Sequence, residues 1–151
     1  MELQINGGEK VEDPNTPYAA LVHFYTAFNL ANEDMMRDCW LQTEQASMSN
    51  PLGGVKRGWS AIAEVYEKIF NGPARVFVEF YDYSIYESGD MFCAVGRERG
   101  HLDIDGQRIE LKIRTSRIYC RDQGDWKQLH HHGSMDDADL LQRYQSILSG
   151  R

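Results

Sequence analysis

Apolar residues recur along the chain with one spacing in the first half and a different texture in the second. Leu21, Phe24, Tyr25 and Phe28 fall at i, i+3, i+4 and i+7, and so do Ile62, Val65, Tyr66 and Ile69. That spacing puts each set on one face of a helix. The first helix is predicted to begin near Asn15-Thr16-Pro17, because Thr16 can cap and Pro17 lacks only an N–H that the first turn does not use. A second, shorter helix from Glu33 to Trp40 carries Met36, Cys39 and Trp40 on one side. Ser60 to Phe70 forms the third, and Asn71-Gly72-Pro73 stops it, with Gly72 available for a left-handed cap. Between the second and third helices, Gln45 to Asn50 reads as a short strand ended by Pro51-Leu52-Gly53-Gly54.

From Arg75 the chain turns rich in Val, Phe and Tyr, which are strand formers. Strands are predicted over Arg75 to Tyr86, Met91 to Ile104, Gln107 to Cys120 and Trp126 to Met135. Ser88-Gly89-Asp90 and Gln123-Gly124-Asp125 supply turns. Asp105-Gly106 is a two-residue hairpin signal, since both central positions need φ > 0. A last helix from Asp136 to Leu148 carries Leu140, Leu141, Tyr144 and Leu148, and its leading aspartates suit the positive end of the helix dipole. Helices followed by one antiparallel meander define an α+β domain. Strands of this length twist and curl. The expectation is therefore a cone-shaped curled antiparallel sheet wrapped around the N-terminal helices, with a hollow core. Residues 1–16 are expected to be a loose lead-in, and 17–151 a single domain.

Composition narrows the function classes. The chain has 151 residues and a net charge of −7, with 42% hydrophobic and 26% charged residues, a globular balance. A domain of about 150 residues buries roughly 68–70% of the surface its unfolded chain exposes, enough for a core and a cavity. The acidic balance argues against sequence-independent nucleic-acid binding. No apolar run approaches the ~20 residues of a membrane helix, and Met1 to Lys10 lacks the apolar stretch of a secretory signal. Cys39, Cys93 and Cys120 are odd in number and widely spaced, and read as buried thiols in a reducing compartment. The expectation is a cytoplasmic protein without a membrane or nucleic-acid partner.

Two segments carry a family likeness. The first is Ser49-Asn50-Pro51-Leu52-Gly53 followed by Gly58-Trp59-Ser60-Ala61-Ile62 and Tyr66. The second is Ser116-Arg117-Ile118-Tyr119, then Gly124-Asp125-Trp126, then Leu129-His130-His131-His132-Gly133-Ser134. The chain resembles the nuclear transport factor 2-like superfamily, in its SnoaL-like branch. The first segment is similar to a stretch of bacterial ketosteroid isomerase. The second is similar to the closing hairpin of the calcium/calmodulin-dependent protein kinase II association domain. The resemblance covers roughly residues 15–135 and speaks to fold more than activity, since one scaffold hosts enzymes, binders and assembly domains.

The resemblance also proposes site residues. Asn50 stands where those isomerases place their catalytic Asp, and an amide does not titrate near neutral pH, which counts against isomerase chemistry. Asn50 is left as a ligand contact or a turn residue. Tyr25 matches the oxyanion-binding phenol and Tyr66 a supporting one, with both also readable as core aromatics. Thr115 replaces the third donor of that oxyanion hole. Arg117 matches a cavity-facing Arg, and Leu111, Ile113, Thr115, Arg117 and Tyr119 share a strand face. Arg117 is expected to pair either with Glu98, by hairpin arithmetic, or with a carboxylate ligand. Alternation separates His131 from His130 and His132. The resemblance turns His131 to the cavity, where it is the best available base. No metal set and no cofactor are expected.

Three readings follow. The first is a small-molecule binder, its cone cavity taking an anionic or carbonyl-bearing ligand at Tyr25, Asn50, Tyr66, Thr115, Arg117 and His131. The second is a cofactor-independent isomerase, lyase or cyclase using His131 or Glu98, with Tyr25 as acid. The third is a homo-oligomeric module, a homodimer through a sheet face bearing Tyr81, Tyr83 and Tyr119.

Overall fold

A computed structural model describes residues 3–149. Met1, Glu2, Gly150 and Arg151, which the expected lead-in and domain bounds include, lie outside the described residues. In chain order the elements are β1 (Gln4–Ile5), α1 (Pro17–Asn29), α2 (Glu33–Cys39), β2 (Ser47–Ser49), β3 (Lys56–Arg57), α3 (Trp59–Asn71), β4 (Arg75–Ser88), β5 (Met91–Ile104), β6 (Gln107–Asp122), β7 (Asp125–Ser134) and α4 (Ala138–Ser149). Among them no helix is long and apolar enough to cross a membrane.

The helical periodicity translates directly into packing. Thr16 caps α1 by accepting from the Ala19 amide at 3.1 Å, with Pro17 in the first turn. Leu21, Phe24 and Tyr25 are buried against the sheet, while Phe28 is half-buried. Ile62 and Tyr66 do the same for α3. Gly72 differs from expectation: its φ of −82° is extended, not left-handed. It is small for another reason, since a Cβ there would lie 2.6 Å from the Lys68 carbonyl oxygen.

The meander β4 to β7 is antiparallel throughout, and Asp105 and Gly106 take the positive φ values, 50° and 77°, that its central hairpin requires. The predicted cone does not form. The seven strands run in the order β1-β4-β5-β6-β7-β2-β3, an open sheet ending in the two-residue strands β1 and β3. It is mixed, because β2 lies parallel to β7. Strand length dictates twist, but closure requires the two end strands to pair, and here they do not.

The lead-in is tied to this sheet. Ile5 is buried and pairs with Phe80. Gly7, at φ 98°, lies so close to α1 that a Cβ would fall 2.6 Å from the Thr26 nitrogen. Thr26 Oγ1 donates to the Gly7 carbonyl at 2.8 Å.

Two register shifts shape the sheet faces, between Tyr81 and Ser84 on β4 and between Ile118 and Tyr119 on β6. The first corrects the expected tyrosine face at Tyr83, while unbroken alternation with Arg117 turns Tyr119 inward. Tyr81 remains on the outer side, with Arg99 over its ring. Tyr83 stacks on buried Phe80 at 5.0 Å, and Tyr119 is buried on the inner side against Phe92.

Candidate functional site

The inner face of β5 and β6 carries a buried polar cluster. Glu98 stands on β5 with Gly96 and Gly100 two residues to either side, and a Cβ at either glycine would collide with β4. The bare backbone lets β4 press close beside Glu98. Arg117 stands on β6, only 1% exposed, and Glu98 is 5% exposed. Arg117 Nη2 donates to Glu98 Oε2 at 2.8 Å, Nη1 donates to Gln128 Oε1 at 2.9 Å, and Nε donates to the Tyr25 phenol oxygen at 3.3 Å. Tyr25 in turn donates its O–H to Glu98 Oε2 at 2.6 Å. The guanidinium lies 3.7 Å from the Phe24 ring centroid, a cation–π contact away from water. Burial alone would lower the pKa of Arg117, but Tyr25 and Glu98 outweigh it and hold the group above its ordinary value. Burial also pushes the Tyr25 phenol well above its usual range, with Glu98 adding and Arg117 opposing.

This arrangement assigns Arg117 to Glu98. Each of its three nitrogens has a partner inside the protein, so it does not present a free cation to an anionic ligand. Gln128, the amide member, is absent from the sequence expectation, although counting back from the Asp122–Asp125 turn sets it opposite Tyr119; the shift beyond that pair sets His131, not His130, opposite Arg117.

Beside the cluster, α1, α3, the inner sheet face and α4 flank an open cleft of about 710 Å³. Its walls are largely apolar, with Phe28, Val65, Ile69, Leu102, Ile113 and Leu148 among them. It opens to solvent past the Asn50–Gly53 turn and the exposed Lys56 and Lys68. The expected closed cone cavity for an anionic or carbonyl-bearing molecule is therefore overturned on both counts: the sheet is open, and the cation meant to read the ligand is already paired.

The structure divides the remaining predicted residues. Asn50, Tyr66, Glu98, Arg117 and His131 line the cleft, and Tyr25 and Thr115 do not. Asn50 Oδ1 accepts from the Leu52 amide at 2.9 Å, so the amide stabilises its own turn. Tyr66 sits among Phe28, Trp40 and Phe70 as a core aromatic. Thr115 is buried with its hydroxyl unpartnered. These phenols and the Thr115 hydroxyl do not converge into an oxyanion hole, because the Tyr25 proton is committed to Glu98. His131 faces inward opposite Arg117. Its pKa is held well below the usual imidazole value, by burial first and then by Arg117, His130 and His132. His130 shares a 2.7 Å hydrogen bond with Ser47 through Nδ1. Tyr144 on α4 reaches the cleft from the far side, its phenol pushed up to about 12 by burial and by Glu98. Among the described residues no cluster of His, Cys, Asp or Glu is built to hold a metal.

The model of the SnoaL-like domain matches residues 18–138. No curated protein matches the chain. Among solved structures, the chain is similar to a Thiobacillus denitrificans protein provisionally described as a calcium/calmodulin-dependent protein kinase type II association domain, at 24% identity and TM-score 0.66, covering 85% of this chain and 100% of that one. It is similar to a nuclear transport factor 2-like superfamily protein from Salmonella enterica, at 19% identity and TM-score 0.68, covering 79% and 89%. It is also similar to a ketosteroid isomerase-like protein from Erwinia carotovora, at 20% identity and TM-score 0.65, covering 80% and 93%. At these identities the likeness is one of fold.

Proposed function

The chain belongs to the SnoaL-like domain family, and on that premise we propose that its open cleft holds an uncharged, largely apolar molecule. One observation carries the reading: the two charged residues on the cleft floor, Arg117 and Glu98, pair with each other at 2.8 Å and leave an apolar wall. A net apolar surface favours apolar ligands through desolvation, and a bare ion would go unpaired there. Binding is supported over isomerisation because the Asn50 amide is engaged in its turn. Within the family, the motifs at Ser49–Gly53 and Leu129–Ser134 support a place beside the ketosteroid isomerases and the kinase association domains. The free thiols of Cys39, Cys93 and Cys120 support a reducing, cytoplasmic setting, and the net charge of −7 speaks against nucleic acid as a partner.

The test is titration with Nile red, a neutral environment-sensitive dye. Val65→Trp places an indole across the cleft from α3 and is expected to weaken saturable binding by about tenfold or more, a loss of about 1.4 kcal/mol, with the melting transition retained. Equal binding by the two proteins, or no saturable binding by the wild type, would overturn the reading.

A second reading, self-association, has its own observation. Tyr86, Met91 and Val95 are exposed by 63%, 45% and 42%, all on the outer face of neighbouring β4 and β5. A second copy of the chain is proposed to cover this patch. Light scattering is expected to give a dimer mass for the wild type and a monomer mass for Val95→Glu. A wild-type monomer at high concentration would sink the idea.

A further inference from the structure

His131 is half-buried as a residue, yet both its ring nitrogens are sealed from solvent and neither has a hydrogen-bond partner among the described residues. Nearly all buried polar atoms in folded proteins are satisfied. Two orphan nitrogens on a ring that lines a cleft therefore mark a place where a bound molecule supplies the partner. The next pair on the same sheet face holds another unpartnered atom, behind the cleft wall. Thr115 stands opposite Gly133, two residues from His131, and Thr115 Oγ1 is unpartnered as well. Gly133 lines the cleft and is bare, and a Cβ on it would lie 3.1 Å from His131 Nε2. The Nε2 edge of the ring thus lies beside the bare Gly133, with the Ile113 side chain also near.

The surroundings select the chemistry of the partner. Arg117 stands directly across the strand pair and Glu98 lines the same floor. Burial and Arg117 keep the imidazole neutral, so it presents one N–H donor and one lone pair. A ligand carboxylate would lie unpaired beside Glu98, and a ligand ammonium unpaired beside Arg117; both are heavily penalised in such a site. A hydroxyl carries no charge and both donates and accepts, so it satisfies whichever tautomer is present.

We propose that His131 reads a hydroxyl group: the molecule held in the cleft is an apolar alcohol or phenol seated against the His131 ring. This rests on the cleft reading above and adds to it the one polar group of the ligand.

Three probes of one shape separate the two ideas: naphthalene, 2-naphthol and 2-naphthoate, titrated at pH 7 by fluorescence or calorimetry. The wild type is expected to bind 2-naphthol about tenfold tighter than naphthalene, the worth of roughly one net hydrogen bond, and 2-naphthoate most weakly. His131→Phe is expected to abolish the preference, bringing the ratio of 2-naphthol to naphthalene affinity to about one. Gly133→Ala crowds the ring edge without removing it and is expected to lower the same ratio, which keeps the test open if His131→Phe folds poorly. Equal binding of naphthalene and 2-naphthol by the wild type, tighter binding of 2-naphthoate, or discrimination that survives both variants overturns the hydroxyl assignment and leaves the cleft reading standing. Binding of none of the three overturns both.

Discussion

Replacing Arg117 by methionine is expected to destabilise the fold by about 3–5 kcal/mol, the usual penalty for stripping one partner from a buried ion pair. Native domains are stable by only about 5–15 kcal/mol, so much of the margin goes. The size follows from what is left behind. Glu98 would keep the Tyr25 hydrogen bond at 2.6 Å but lose its counter-charge, and the Gln128 carbonyl would lose its donor. A second substitution distinguishes this account from simple loss of packing. Arg117→Met with Glu98→Leu removes both charges, and buried pairs replaced by apolar residues are often neutral in stability. In the double variant Tyr25 loses its acceptor and Gln128 still lacks its donor, at about 1–3 kcal/mol for each unsatisfied buried group. The double variant is expected to be more stable than Arg117→Met alone. Urea denaturation, compared at constant slope, checks it. A loss under about 1 kcal/mol for Arg117→Met, or a double variant weaker than the single, would show that the ion pair is not what holds these strands.

That cluster shows which parts of a site a linear chain reveals. The inward face of β6 is legible from strict alternation over Leu111 to Tyr119, and the Asp105-Gly106 turn pins the β5–β6 register. A pairing of Glu98 with Arg117 was within reach because the turn limits where β5 can lie. The two are not directly opposed; Glu98 faces Ile113 and Arg117 faces Ala94. A long, flexible guanidinium stem spans that offset, where a short side chain would not. Gln128 lies opposite Tyr119 by plain counting from the Asp122–Asp125 turn; what such counting cannot anticipate is the shift at Ile118 and Tyr119 that sets His131, not His130, opposite Arg117. The glycines of Gly96-Arg97-Glu98-Arg99-Gly100 carry a usable signal: glycine inside a strand marks close approach of another backbone, and here it occurs on both sides of the buried carboxylate.

The cone failed for a different physical reason. Twist is a property of each strand, written in its length and side chains, but closure depends on which strands reach the edges. Ser47–Ser49 settles parallel to β7, and Lys56–Arg57 forms a two-residue edge that does not pair with β1. Pairings of two or three residues between segments far apart in sequence leave almost no periodic signature. The ligand chemistry failed with it. A cavity-facing arginine suggested an anion only while its partners were unknown, and three internal acceptors convert the same residue into structure.

The glycine at position 100 makes the second large prediction. Gly100→Ala is expected to cost at least about 3 kcal/mol, at or beyond the upper range of ordinary overpacking. A Cβ there would fall 1.9 Å from the Phe77 carbonyl oxygen, 2.8 Å from the Phe77 carbonyl carbon and 2.9 Å from the Val78 Cα. All three are backbone atoms, so no rotamer change relieves the clash. Nor can β4 retreat freely. Val78 accepts from Asn29 Nδ2 at 2.8 Å and donates to Asn29 Oδ1 at 3.0 Å, the α1 side chain standing in for a strand where β1 has ended. Moving β4 away from β5 strains these two hydrogen bonds and the ladder together. Gly8→Ala serves as a control, since its nearest neighbour is Asn6 Oδ1 at 3.2 Å and its φ is not positive; its effect is expected within about 0.5 kcal/mol, as for other surface substitutions. Thermal and urea unfolding of both variants measure the contrast. At this chain length about 3 kcal/mol corresponds to roughly 6–12 °C in Tm. A Gly100→Ala protein as stable as Gly8→Ala would mean that β4 and β5 are not pressed together at Phe77, and that Glu98 is not held in place by that close approach.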